Sequence, residues 1–230
     1  MKKSLVIAID GPSGSGKSTI AQLLAKQLGL LYIDTGSMFR GLAYSAQKSN
    51  VPMESGETLN KFLAECNIEY GKSKEELISI NGENLTQIIR EHHVSKLASI
   101  ISQVPEVREY LLNFQRNLAI EVLCVMEGRD IGTIVFPNAF CKIFITASAE
   151  IRAERRLNQL KEQGNLDVTL EQVVEDVKKR DESDINREVA PLKEADDAYF
   201  MDTTELNLDE ILNKLKMIVK EKAVGLGIDL

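Results

Sequence analysis

The chain has 230 residues, 43% hydrophobic and 27% charged, the ordinary balance of a soluble globular protein with room for one large α/β domain and a small insertion. Its formal net charge of −7 lacks the broad basic footprint of a nucleic-acid binder, and no apolar run approaches the ~20 residues that span a bilayer. The three cysteines, Cys66, Cys124 and Cys141, are odd in number and form no C-x-x-C pair, so neither a disulfide framework nor a zinc site is expected.

Met1-Lys2-Lys3-Ser4-Leu5 has the charged start of a signal peptide. The apolar stretch stops at Asp10, however, with no small-residue cleavage site before a polar mature chain, and a cytoplasmic protein is expected. Leu5 to Ile9 is a short β-branched run, suited to a parallel strand buried on both faces. Directly behind it, Gly11-Pro12-Ser13-Gly14-Ser15-Gly16-Lys17-Ser18 fits G-x-x-x-x-G-K-[ST], and Thr19 follows. Glycines let such a loop turn its N–H groups inward, where a Cβ would block a phosphate, and the following helix N-terminus adds its own amides. Lys17 supplies a point charge for the β- and γ-phosphates, and Ser18 a hydroxyl for Mg²⁺. Nucleoside triphosphate binding by Gly11 to Thr19 is the expectation. The motif by itself leaves the reaction open, since GTPase switches, motor ATPases and small-molecule kinases share it. The chain has no N-K-x-D for guanine and no LSGGQ-like transporter signature.

Ile20, Leu23, Leu24 and Leu28 mark a helix closed by Gly29, and Leu31 to Asp34 reads as the second strand. Asp34-Thr35-Gly36-Ser37-Met38-Phe39-Arg40 follows at the carboxyl end of that strand, where ligands of open α/β sheets bind. Residues 35–121 form a long interval with an antiparallel stretch between about 67 and 91, turned at Asn81-Gly82, and read as an inserted subdomain. His92 and His93 point apart on a helix and lack a third ligand spaced for zinc, so they read as a solvated pair. Val107, Leu111, Leu112 and Leu118 mark a helix, and Val122 to Met126 the third strand, which ends in Glu127-Gly128-Arg129-Asp130. Cys141 to Thr146 is the fourth strand, followed by the basic stretch "AEIRAERRLNQL". Thr169 and Gln172 resemble a capping box opening a helix that runs into "RDESDINR". Ala198 to Met201 is the fifth strand, and Leu208 to Val219 an amphipathic helix. Strands alternating with helices predict an α/β fold: a P-loop three-layer architecture around a five-stranded parallel sheet with right-handed crossovers.

Together "IDGPSGSGKST", "LYIDTGSMFR", "EGRDIGTIVFP", "KIF" and "KKRDESDINREVAPL" resemble the bacterial cytidylate kinases, nearly end to end and in that family's order. The P-loop is shared by many unrelated enzymes. The pairing of GRD-x-GT-x-VFP with RD-x₂-D-x-NR-x₃-PL is much more specific. The resemblance implies one kinase domain over 1–230, with a nucleoside monophosphate-binding insertion within 35–121 and a short lid at 149–187. It implies ATP with Mg²⁺ and CMP or dCMP as substrates. The charge and apolar runs themselves point to no nucleic-acid or membrane partner, and with no exposed apolar stripe demanding a partner a monomer is the default expectation.

It further implies that Arg40, Arg129 and Arg187 grip the acceptor phosphate, a role planar guanidinium groups suit. Arg180 and Asp184 would hold the ribose, and Ser99, Arg108 and Asp130 would read the base. Cytosine offers an amino donor where uracil offers an acceptor, so a carboxylate at Asp130 disfavours UMP. Arg155 and Arg156 would close over ATP and the transferring group together with Lys17, whereas Arg152 fits an ordinary basic helix face equally well. Two positions depart from the family pattern: Phe39 stands where tyrosine is usual, and Glu127 where aspartate is common.

Overall fold

The computed structural model describes residues 3–73, 75–162 and 167–230; residues 163–166, within the interval expected to form a lid, lie outside the described residues. In chain order the elements begin with β1 (Ser4–Asp10), α1 (Lys17–Leu28), β2 (Leu31–Asp34), α2 (Thr35–Lys48) and α3 (Glu57–Glu65). Three short strands follow, β3 (Ile68–Tyr70), β4 (Ile78–Ile80) and β5 (Glu83–Asn84), then α4 (His92–Ile101) and α5 (Pro105–Leu118). The remainder is β6 (Cys124–Glu127), a π-type turn over Ile131–Val135, β7 (Ala139–Thr146), α6 (Ala149–Glu162), α7 (Leu170–Asn186), β8 (Tyr199–Asp202) and α8 (Leu208–Val224). The chain divides into two compact units, Met1–Ile33 with Ala119–Leu230, and Asp34–Leu118.

The first unit carries the expected five-stranded parallel sheet, in the order β2-β6-β1-β7-β8. β1 pairs in parallel with both β6 and β7, and β7 with β8. β1 is central because it can be buried on both faces: Val6, Ile7, Ala8 and Ile9 are all fully buried. One face of the sheet, with Ile7, Ile9, Val125, Cys141, Ile143 and Ile145, packs on Ile20 and Leu24 of α1 and on Ile211, Leu212, Leu215 and Val219 of α8. The connection from β1 runs out to β2 and returns to β6 on one side, whereas β7 and β8 lie on the other side of β1. The order therefore reverses beside β1, and the carboxyl ends there form the crevice in which open α/β sheets bind ligands. α6 and α7 pack on each other through a small apolar core of their own, Ala153, Leu157 and Leu160 against Val173 and Val177.

In the second unit β3, β4 and β5 form an antiparallel sheet. Asn81 and Gly82, both at positive φ (52° and 80°), make the tight turn between β4 and β5 that the sequence predicts. β4 lies close to α2: a Cβ on Gly41 would sit 3.0 Å from Ile78 Cδ1 and 3.3 Å from Ile80 Cδ1, so any larger residue would push these side-chain ends aside. The irregular stretches of 49–56 and 102–104 join helices α2 to α3 and α4 to α5, which the apolar periodicity had not delimited.

Candidate active site

The loop of residues 11–16 joins β1 to α1 in the strand–loop–helix setting its motif requires. Gly11, Gly14 and Gly16 all have positive φ, at 147°, 76° and 86°. A Cβ on Gly11 would run into the backbone carbonyl of Ile145, and one on Gly14 would stand 3.2 Å from both Cβ and the carbonyl oxygen of Arg152. Conformation and space thus both demand glycine. Lys17 lies across the loop, 4% exposed, with Nζ donating to the Pro12 carbonyl at 2.7 Å. Burial lowers its pKa to about 7; Arg129 and Arg180 push the same way, and Glu127 and Asp10 oppose them. Ser15 is fully buried, and its hydroxyl meets no hydrogen-bond partner among the described residues. Ser13 is half-buried, whereas Ser18 and Thr19 are exposed in the first turn of α1.

Glu127 ends β6 with its backbone level with Ile9 of β1, which sets its side chain beside the start of α1. One carboxylate oxygen accepts from Ser18 Oγ at 2.9 Å and the other accepts from the Tyr32 hydroxyl. Ser18 and Glu127 therefore form a pair of hard oxygen donors of the kind a hydrated Mg²⁺ takes, and these residues fit that ion. At the end of β1, Asp10 accepts from the amides of Ile131 and Gly132 at 2.8 and 2.7 Å. Burial raises its carboxyl to about 7 in spite of those two bonds. Asp10 thereby holds the turn that immediately follows Arg129 and Asp130.

Around that turn the arginines gather on Asp184. Arg129 Nε donates to Asp184 Oδ2 at 3.0 Å, and Arg187 Nη1 lies 3.9 Å from Asp184 Oδ1 and Nη2 3.7 Å from Asp130 Oδ1. Burial by itself would raise Asp184, but the guanidinium charges of Arg129, Arg180 and Arg187 outweigh it and hold the carboxyl below the usual range. Arg187 also donates from Nε to the Ala190 carbonyl, and the Leu192 amide donates to the Asp184 carbonyl, so the stretch after α7 folds back on the same carboxylate helix end. Among the described residues Arg155 makes long contacts, to the Ser15 carbonyl and the Thr203 hydroxyl at 3.4 Å and to the Thr203 carbonyl at 3.2 Å. Arg156 Nη1 donates along its own helix to Gln159 Oε1 at 3.5 Å. Arg152 is buried and donates to Ala147, Ser13 and Asp181.

In the unit Asp34–Leu118, Asp34 caps α2 by accepting from the Ser37 amide at 3.1 Å and also accepts from Arg40 Nη2 at 2.8 Å. Arg40 Nε is buried and meets no hydrogen-bond partner among the described residues. Arg108 lies over the Phe39 ring, 5.4 Å from its centroid, and donates to the Ser102 carbonyl at 3.0 Å. The Ser102 hydroxyl in turn donates to the Ser99 carbonyl at 3.1 Å, so Ser99, Ser102 and Arg108 form a short relay. The ring at position 39 thus keeps a stacking role without a hydroxyl.

Residues 7–221 match the family model described as cytidylate kinase. The chain belongs to the cytidylate kinase family. It is 44% identical over 222 residues to a cytidylate kinase of an Exiguobacterium species, covering 96% of this chain and 99% of that one. To the cytidylate kinase of Ligilactobacillus salivarius it is 42% identical, covering 96% and 99%. Among solved structures, a shikimate kinase from Bacteroides thetaiotaomicron covers 94% of this chain and is 98% covered itself, at 10% identity and a TM-score of 0.45. Membership of the family makes the chain a kinase, a phosphotransferase with a P-loop fold.

Asp10, Tyr32, Asp181 and the role of Glu127 escaped the sequence reading. The available signal was slight: an acid closing each of two adjacent buried strands, at Asp10 and Glu127.

Proposed function

We propose that the chain transfers the γ-phosphoryl group of ATP to CMP or dCMP, giving ADP and CDP or dCDP. The observation that carries this reading is the gathering of Arg129 and Arg187 on Asp184 in the same unit as Lys17 of the phosphate loop. Family membership supports cytidylate as the acceptor.

In this reading the amides of residues 11–16 and Lys17 hold the triphosphate, and the buried hydroxyl of Ser15 finds an acceptor there. Ser18 and Glu127 would hold Mg²⁺, which would offset charge on the β- and γ-oxygens when bound with ATP. Arg40, Arg129 and Arg187 orient the acceptor phosphate; Arg180 and Asp184 take the ribose; Ser99, Arg108 and Asp130 take the base. Arg155 exchanges its long contacts for the transferring group, and Arg156 follows as α6 closes. A phosphate monoester is close to a dianion near neutral pH, its second pKa being about 6, so no general base is required. Catalysis rests on alignment and on fixed positive charge where charge spreads in the transition state.

A coupled assay of ADP release with ATP·Mg²⁺ and CMP, dCMP, UMP or AMP tests this. Turnover with CMP and dCMP, weaker turnover with UMP, and a rise in KM for CMP in Asp130→Ala of at least ~10-fold are expected, since losing a hydrogen bond to a charged group costs about 1.5–3 kcal/mol. Absence of acceptor-dependent turnover would leave a nucleotide-binding protein and no more.

A further inference from the structure

Arg152 lies in the first turn of α6, shortly after β7, and is 5% exposed. Nε donates to the Ala147 carbonyl at 2.8 Å, and Nη1 to the Ser13 carbonyl at 3.1 Å. Nη1 and Nη2 together grip Asp181 of α7 in a bidentate pair, at 3.0 and 2.6 Å. These contacts use four of the five N–H donors of a guanidinium. A side chain so committed has little left to offer a nucleotide. The backbone of the phosphate loop is fitted to it as well, because Gly14 is the position where a Cβ would press on Arg152.

The other end of this connection is significant. Asp181 follows Arg180 in sequence, and one turn further along α7 stands Asp184, on which Arg129 and Arg187 gather. α7 is also packed on α6 through Val173 and Val177 of its first half, so the two helices respond together to a pull at the Arg152–Asp181 pair. The phosphate loop and the helix bearing the acceptor groups are therefore joined through a single buried side chain.

We propose that Arg152 is a positioning residue that ties the phosphate loop to α7, so that a triphosphate in the loop and CMP at the α7 residues bind cooperatively. This rests on the assignment of Arg180, Asp184 and Arg187 to the acceptor. A triphosphate fixes the Ser13 peptide; the Ser13 carbonyl fixes the guanidinium; the guanidinium fixes Asp181 and with it the direction of α7. Lysine cannot replace arginine here, since a single ammonium cannot hold two carboxylate oxygens and two carbonyls in one plane.

Calorimetric titration of CMP, with and without saturating β,γ-imido ATP and Mg²⁺, tests the proposal in the wild type, Arg152→Lys and Asp181→Asn. The wild type should bind CMP roughly 5–150-fold more tightly with the analogue present, the usual range of coupling between two sites. In each variant that ratio should fall to about one, while affinity for CMP alone changes by less than ~3-fold, within the scatter of a retained site. Thermal unfolding of each variant is measured alongside, because a purely structural role lowers stability and leaves the ratio intact. A ratio preserved in either folded variant overturns the proposal. So does a wild type that binds CMP without coupling, and in that case the assigned reaction still stands. Failure of the wild type to bind CMP removes both readings. Should neither variant fold, amide exchange on the wild type decides: the imido analogue added by itself must slow exchange in α7 around Asp181, and unchanged exchange there overturns the proposal.

Discussion

Asp10 and Lys17 are charged groups set almost wholly inside the protein, one at the end of the central strand and the other opening α1. For Asp10, burial raises the pKa from 3.8 to about 7, so the folded chain keeps a proton that the unfolded chain releases. Its contribution to stability is therefore full below about pH 4 and is lost as pH rises through 7. Asp10→Asn removes that titration, although the amide presents one donor where the carboxylate accepts from both Ile131 and Gly132. Urea unfolding of the two proteins between pH 4 and 7 should show the wild type losing ground against Asp10→Asn as pH rises. Parallel profiles would mean that Asp10 titrates as an ordinary aspartate. At this scale the sequence was legible where chemistry is fixed by type and spacing, as at Lys17 and Ser18. It was not legible at Arg152, because a guanidinium two residues from Glu150 and Glu154 has the same appearance on a helix surface as in a buried clamp. Only the approach of Ser13 and Asp181 separates the two.

Among the elements, α7 bears the most. Thr169 and Gln172 cap it reciprocally, with the Gln172 amide donating to Thr169 Oγ1 at 3.4 Å and the Thr169 amide to Gln172 Oε1 at 3.0 Å. Asn207 and Glu210 cap α8 in the same way, at 3.0 Å in both directions. Thr169→Ala should cost at most ~1 kcal/mol, the first cap bond being long, and lower the Tm by no more than about 4 °C. Because the cap lies well over two turns from Arg180, kcat/KM for CMP should not move; scanning calorimetry and the coupled assay check the two halves. The first capping box was readable as T-x-x-Q ahead of an apolar stripe. α2 and α4 were less so, since their buried faces, such as Met38 and Leu42 or Val94 and Ala98, are short and mixed with small residues. Strand limits shifted by one or two residues, β6 starting at Cys124 and β8 at Tyr199, because pairing to β1 and β7 sets where a strand begins.

For the whole molecule, the cysteines report on how each unit opens. Cys124 and Cys141 are buried in the five-stranded sheet, and burial pushes both thiols up to about 12. Cys66, in the unit Asp34–Leu118, is half-buried, and burial raises it to about 11. With a disulfide reagent at pH 8, Cys66 should react first through local opening, and Cys124 and Cys141 only at the rate of global unfolding. Equal rates for all three would mean that a single opening event exposes Cys66 together with the central sheet. Among the described residues no helix is long and apolar enough to cross a membrane.

The sequence by itself determined the alternation of strands and helices, the phosphate loop, the Asn81-Gly82 turn and the family. Each is local: a run of β-branched residues, a glycine pattern or a motif in order has its meaning within a few neighbours. The tertiary structure alone decided which charges share a carboxylate, that Glu127 bridges Ser18 and Tyr32, and that Arg152 faces inward to Asp181. Those depend on strand order and on the angle at which α7 meets the phosphate loop, and they join residues up to 139 positions apart, as Ser13 and Arg152 are. The physical reason is that a charge is stable in the interior only beside partners that the rest of the fold delivers.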